Sequence, residues 1–157
     1  MASPIFLPVP HLQQRAPGEC LAACAAMVLA YLNFPVDYDR LLKLLRIKGE
    51  IGTAASNIHN LAQLGINVIY EQGTFAKLES HLSNNSPCIA SVRTGELPYW
   101  NGENLLHAVL IVGLDNHDVY LNDPAFPNAP AQVTRGDFDL AWLDRDEFYA
   151  VLTLPKR

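Results

Sequence analysis

From Glu19 onward the apolar positions of this chain fall at helical spacing, and after Pro87 they gather into short continuous runs. Ala22, Ala23, Ala25, Ala26, Met27, Leu29 and Leu32 are good helix formers that cover nearly every side of one helix. That segment is expected to be central and buried, and Asn33 with Pro35 ends it. A second helix is predicted from a cap at Asp37 to about Arg46, with Leu41, Leu42, Leu44 and Leu45 as its buried stripe. A third opens at Thr53 or Ser56 and stops at Gly65 in the C-cap position. Next come a strand over Asn67–Glu71, a short helix over Phe75–Leu82 and a strand over Cys88–Val92. The run HAVLIVGLD, residues 107–115, is apolar on both faces and reads as the central strand. Asn116-His117-Asp118 is turn material, and residues 119–123 return as its hairpin partner. A helical turn over Asp137–Leu143 and a strand over 147–154 complete the pattern. Helices first and hairpin-linked strands last favour α+β, N-terminal helices packed against a C-terminal antiparallel sheet, over a doubly wound sheet.

The first 18 residues read differently. Pro4, Pro8, Pro10 and then Pro17-Gly18 interrupt every apolar run, so residues 1–18 are expected to form an extended arm. The arm lacks a basic start and makes a poor signal peptide. No stretch nears the roughly 18 apolar residues of a spanning helix. Without repeat, linker or low-complexity segment, residues 1–157 read as one domain.

Composition acts mainly by exclusion. Half of the residues are apolar and 17% are charged, an ordinary globular balance. The net charge is −5 and no run of Lys or Arg suggests a nucleic-acid footprint. Three cysteines are too few for a disulfide framework and point to a reducing compartment, so a soluble, cytoplasmic domain is expected.

Two of those cysteines, Cys20 and Cys24, share the first turns of the first helix. A metal pair would need further ligands, and C-x3-C is no strong zinc signature; no metal and no cofactor are expected. A disulfide within one helical turn has poor geometry. Cys24 and Cys88 read as packed core residues. Cys20 is different. In the first turn, unpaired N–H groups and the helix dipole favour a thiolate, the form that acts as nucleophile. Gly18, following Pro17, lets the backbone turn sharply before it.

Three further residues give that thiolate a context. Gln14, six residues upstream, has an amide that can point at an oxygen turning negative during attack on a carbonyl. The Cys20 N–H would be the second donor, and Gln13 is a close competitor for the role of Gln14. His107 opens the central strand, where an imidazole projects into a cleft from a rigid support; the alternative is a hydrogen-bonded core histidine. Its other ring nitrogen needs an orienter, for which Asp123 is the first candidate and Asn122 the second. A two- or four-residue hairpin loop would put Asn122 on the face of His107, whereas an odd loop or a bulge restores Asp123. Tyr99-Trp100 either walls a cleft or caps the core. Trp142 reads as core, and His11, His59, His81 and His117 show no convergent spacing, with surface roles expected for most.

In order, Gln14, Cys20 on a helix, His107 on a strand and Asp123 resemble the papain-like cysteine peptidases. The likeness is closest to the bacteriocin-processing peptidases that act on double-glycine leaders. Their Q-x5-(D)-C-G-x-A-C-L-x-M pattern corresponds to QRAPGECLAACAAM, their H-h-V-V-h-h to the start of HAVLIVGLD, and their D-P-A to Asp123-Pro124-Ala125. Gly52-Thr53 and the Phe138–Trp142 segment extend it over nearly the whole chain. The resemblance implies a papain-like α+β fold and acyl transfer to water through a thioester. It makes Cys20 the nucleophile, His107 the general acid/base, Asp123 the orienter and Gln14 an oxyanion donor, with a peptide or protein as substrate. Leu21 stands where that family has glycine, and Glu19 where it has aspartate. Members are often domains of membrane exporters, so a free-standing protein and an excised exporter domain are both open readings. The same residues would serve an amide-forming acyltransferase or, without turnover, a peptide-binding module.

Overall fold

The computed structural model describes residues 4–155, so the first three positions of the expected arm lie outside the described residues. The N-terminal half runs β1 (Ile5–Phe6), α1 (Cys20–Tyr31), α2 (Tyr38–Leu44), a 3-10 turn at Gly49–Ile51 and 3-10 turns over Ala55–Leu64. Then follow β2 (Asn67–Gln72), α3 (Phe75–Ser83), β3 (Cys88–Arg93) and β4 (Leu106–Leu114). The chain continues as β5 (Asp118–Asn122), β6 (Ala131–Thr134), α4 (Arg135–Leu143) and β7 (Phe148–Thr153).

The strands make one antiparallel sheet in the order β2-β7-β3-β4-β5-β6, and β1 joins β4. HAVLIVGLD is central, as its two apolar faces require. Ala108, Leu110 and Val112 pack toward α1, while Val109 and Ile111 pack with α3 and α4. Both faces are therefore covered: α1 and α2 on one, α3 and α4 on the other. Alternation along one strand thus feeds two cores.

α1 is buried nearly all round, with Ala22, Ala23, Cys24, Ala25, Val28 and Leu29 fully shielded. Its small side chains let the helix lie close against β4. The third predicted helix is drawn tighter than an α-helix. Its buried residues, Ile58 and Leu61, are three apart, which suits the eclipsed 3-10 repeat, and it ends at Gly65 with φ 84°. Asp37 does not cap α2 through its side chain; its carbonyl accepts the Arg40 and Leu41 amides instead. Two strands were absent from the sequence reading. β1 takes the edge of β4 that β3 leaves beyond Ile111, and β6 follows a proline-rich loop. Both are too short for a periodicity to show.

The arm is extended, as expected, and tied down along its length. Leu7 N–H donates to Val112 O at 2.7 Å, Gln14 N–H to Pro124 O at 2.8 Å, and the His11 ring bonds Phe126 O at 2.6 Å. These contacts lay the arm over the β4–β5 side of the sheet and deliver Gln14 and Gly18 to the start of α1.

Candidate active site

Cys20 is the first residue of α1 and His107 the second of β4, and both line one cleft of about 370 Å³. The Pro17-Gly18 bend and the 50–55 segment, packed together, also line it. Gly18 sits at φ 86°, and a Cβ there would come within 2.5 Å of Gly49 O, so glycine is needed for the two loops to meet. The thiol of Cys20 lies beside the His107 ring and the Ala108 and Leu21 backbone, close enough for them to favour its thiolate.

His107 Nε2 lies 2.7 Å from Asp123 Oδ1, which leaves Nδ1 for the thiol. The register that permits this is unusual. The hairpin turns through two residues: Asp115 and Asp118 are bonded across it, and Leu114 pairs with Val119. Continued unbroken, that register would place Asn122 on the face of His107. A bulge at Val112, between the Ile111 and Gly113 pairs, shifts it by one residue. Asp123 then joins His107, and Asn122 turns to the α1 side, where its amide donates to Val9 O and contacts Met27 Sδ. Gly113, next to the bulge, leaves room for β1 to approach. A Cβ there would meet Ile5 O and the Phe6 ring at 2.9 Å, where Phe6 crosses to pack on Tyr120.

Asp123 is 1% exposed yet accepts four hydrogen bonds. Oδ1 takes His107 and the Ala125 N–H at 3.0 Å; Oδ2 takes the Tyr99 hydroxyl at 2.6 Å and the Trp100 indole N–H at 2.9 Å. Tyr99-Trp100 therefore does something neither sequence reading proposed: it clamps the carboxylate. Trp100 also packs edge-on to the His107 ring, centroids 5.0 Å apart. Thr94 holds their loop closed, donating its hydroxyl to Glu103 O and accepting the Leu105 N–H. The only sequence signal was two polar-tipped aromatics just upstream of His107.

The electrostatics follow from these contacts. Burial alone would raise the Cys20 thiol, but the His107 hydrogen bond and charge, with the backbone donors, bring it below its ordinary value. Burial would likewise depress His107, but Asp123 and Cys20 push it up to about 9. Burial opposes the ionised Asp123 as well, and its hydrogen bonds to His107 and Tyr99 hold it below the usual carboxylate range. The arrangement favours a thiolate–imidazolium pair over two neutral groups. Cys24, one turn on, is wholly buried, and burial pushes its thiol well up. All three cysteines are free, and among the described residues no group of three His, Cys, Asp or Glu is arranged to hold a metal.

Gln14 lines the cleft too. Its amide N donates to Ala16 O at 3.2 Å, leaving its second N–H uncommitted, and its buried Oε1 has no partner. Leu21 points into the core at 5% exposure, and Glu19 accepts the Tyr38 hydroxyl at 3.0 Å. Of the remaining histidines, His11 and His81 are half-buried and hydrogen-bonded rather than free at the surface. Trp142 is core.

Residues 6–147, most of the chain, match the Peptidase_C39 like family. The chain belongs to that family. No curated protein matches it. Among solved structures, this C39-like chain is similar to a C39-like peptidase from Bacillus anthracis, 17% identical, with a TM-score of 0.81 over 99% of this chain and 100% of that one. It is also similar to a double glycine motif protease from an AMS/PCAT transporter, solved with its leader peptide: 21% identical, TM-score 0.74, again 99% and 100% covered. The peptidase domain of Streptococcus ComA, a bifunctional ABC transporter of a quorum-sensing pathway, is 15% identical with a TM-score of 0.72 over 92% and 98%. At these identities the likeness establishes the fold: helices and an antiparallel sheet in the papain-like arrangement of C39 peptidases. Among the described residues no helix is long and apolar enough to cross a membrane.

Proposed function

We propose that this C39-like chain is a cysteine peptidase that hydrolyses a peptide bond through a thioester, as in the processing of a leader peptide. One observation carries the reading: a thiol at a helix start and an imidazole line one open cleft side by side, and the imidazole is hydrogen-bonded to a buried carboxylate. The Cys20 thiolate attacks the substrate carbonyl carbon. Negative charge gathers on the carbonyl oxygen, where the Cys20 N–H and the uncommitted Gln14 N–H are the available donors. His107 then gives its proton to the departing amine, and the C–N bond breaks to leave a thioester on Cys20. Water enters, His107 takes its proton, and the acid is released with the thiolate restored. Asp123, held by Tyr99 and Trp100, keeps the imidazole turned toward sulfur throughout.

The family supports this reading, and so does the peptidase activity named for its structural relatives, one of them bound to a leader peptide. Three unpaired thiols suit a reducing compartment, where we place the reaction, on a peptide substrate of the chain itself or of an associated exporter. The test is digestion of a peptide mixture in heavy-oxygen water with products read by mass. Hydrolysis is expected to leave one heavy oxygen on the new carboxylate, and alkylation of Cys20 to stop it. Amide products with an added amine, in preference to acids, would mark an acyltransferase. Binding without any product would mark a non-catalytic module.

A further inference from the structure

The cleft extends beyond the reacting groups, across the end of the sheet. Ala108 on β4 pairs with Ser91 on β3, and both line it; Arg145, in the turn leading into β7, lines its far end. Crossing from β4 over β3 to β7 spans two interstrand spacings, roughly 10 Å, or about three residues of extended peptide.

Arg145 is a half-buried cation whose side chain forms no ion pair or hydrogen bond among the described residues. Its sequence neighbours are Asp144, Asp146 and Glu147, yet it forms no ion pair with any of them. Nor does its side chain hydrogen-bond elsewhere among the described residues; only its backbone is engaged, with Trp142 and Phe148. The turn that carries it is fixed. Asp146 and Glu147 are both left-handed, at φ 57° and 56°; Glu147 N–H bonds Trp142 O at 3.0 Å, and its own carbonyl accepts the Gly73 N–H at 2.9 Å. The Tyr70 ring, stacked on Phe148, is near enough to feel the guanidinium charge. Glu50 is the other charged side chain on the cleft wall outside the Cys20–His107 pair, and it sits on the exposed tip of the 49–51 turn. Exposed Leu105 and Leu106 line the cleft between, and apolar walls strengthen whatever charge pairing occurs inside.

We infer that Arg145 determines substrate specificity, binding a carboxylate of the peptide about three residues from the scissile bond. The inference rests on the peptide-hydrolase reading and adds a chemical preference to it. A guanidinium grips a carboxylate through two parallel N–H donors, and such a charge-assisted pair is strong where water is partly excluded. The carboxylate is that of an Asp or Glu side chain, or a peptide C-terminus at that distance.

The experiment digests a proteome-derived peptide library with the wild-type chain and reads cut sites by mass spectrometry. Matched synthetic peptides with Asp, Glu, Asn or Gln at each flanking position, amidated or free at the C-terminus, follow. Acid over amide selectivity is expected at one position, falling about tenfold or more in Arg145→Ala, chiefly through KM. Arg145→Lys should restore part of it, and Arg145→Glu should turn the preference toward Lys and Arg. Arg40→Ala, which removes an exposed cation on α2, should leave the ratio intact. Sensitivity to C-terminal amidation instead of side-chain identity would assign the carboxylate to the terminus. Cleavage with no acid preference, or one that Arg145→Ala does not move, overturns the inference and spares the peptidase reading. The reverse is also separable. Anisotropy with labelled peptides on Cys20→Ala should show Arg145-dependent binding of acidic peptides, which would stand even if no peptide were cut. Absence of both cleavage and such binding overturns both.

Discussion

Two histidines in this molecule face the same problem and end with opposite proton affinities. His107, in the cleft, and His81, on α3, both lose hydration on burial, which depresses an imidazole. His81 stays depressed. Its ring bonds the Tyr149 hydroxyl at 2.9 Å, and that hydroxyl donates to Glu71 at 2.7 Å, so its nearest carboxylate acts through an intermediary. Glu71 is also 44% exposed and shared with Lys77, so water and an ammonium screen it. Asp123 touches His107 directly, is 1% exposed and has no competing cation, and His107 rises to about 9. Burial thus does not decide the charge of a histidine; an unscreened carboxylate in direct contact does.

The largest expected effect separates the thiols beside that imidazole. Cys20→Ala should lower turnover by about 10⁴-fold or more. Cys24→Ala should keep turnover and cost about 1–2 kcal/mol of stability in a urea melt; equal losses would break the distinction between thiolate and core thiol. Next, Asp123→Asn should make His107 resemble His81. Turnover is expected to fall by about 10³-fold or more. In the wild type, rate should rise as the lowered Cys20 thiol ionises and fall as His107 deprotonates near 9. In Asp123→Asn the alkaline limb should move down, because burial then acts on the imidazole without the carboxylate to oppose it; an unmoved limb would mean Asp123 is not its source.

Gln14→Ala should cost about 10²–10³-fold in kcat with little change in KM, while Gln13→Ala changes neither. The smallest effects belong to the His81 side. Tyr149→Phe should cost about 1–2 kcal/mol of stability and leave the pH profile of Cys20 alkylation unchanged. The sign for His81 is set by its lowered folded pKa. Below about 6.5 the unfolded chain takes up a proton that the folded His81 resists, so acidification through that value reduces stability. His81→Gln should flatten that slope in thermal melts at graded pH.

Much of the site was legible because its chemistry sits where local rules apply. A cysteine after Pro-Gly at a helix start and a histidine opening an apolar strand each carry a reason in their own few residues. The choice between Asp123 and Asn122 carried none. Both readings of the hairpin were consistent with the pattern, and the turn alone, with two residues, favours the wrong one. The bulge that corrects it lies beside β1, a two-residue strand from the far end of the chain that packs closely on Gly113. Tyr99-Trp100 was undecided for the same reason: what those side chains bond lies some twenty residues on, across a loop closed by Thr94. Arg145 gave no signal in the sequence, because only the packing of β7 beside β3 brings its turn to the cleft.

The sequence by itself determined the helices, the central strand, the order of the chemistry along the chain and the distinction between Cys20 and Cys24. Periodicity, breakers and helix-start electrostatics act over a few residues, so one strand of text suffices. Tertiary structure alone decided which acid meets His107, what clamps it, and which cation shares the cleft. Those outcomes turn on a one-residue shift in strand pairing and on contacts between segments tens of residues apart, where no local preference reaches.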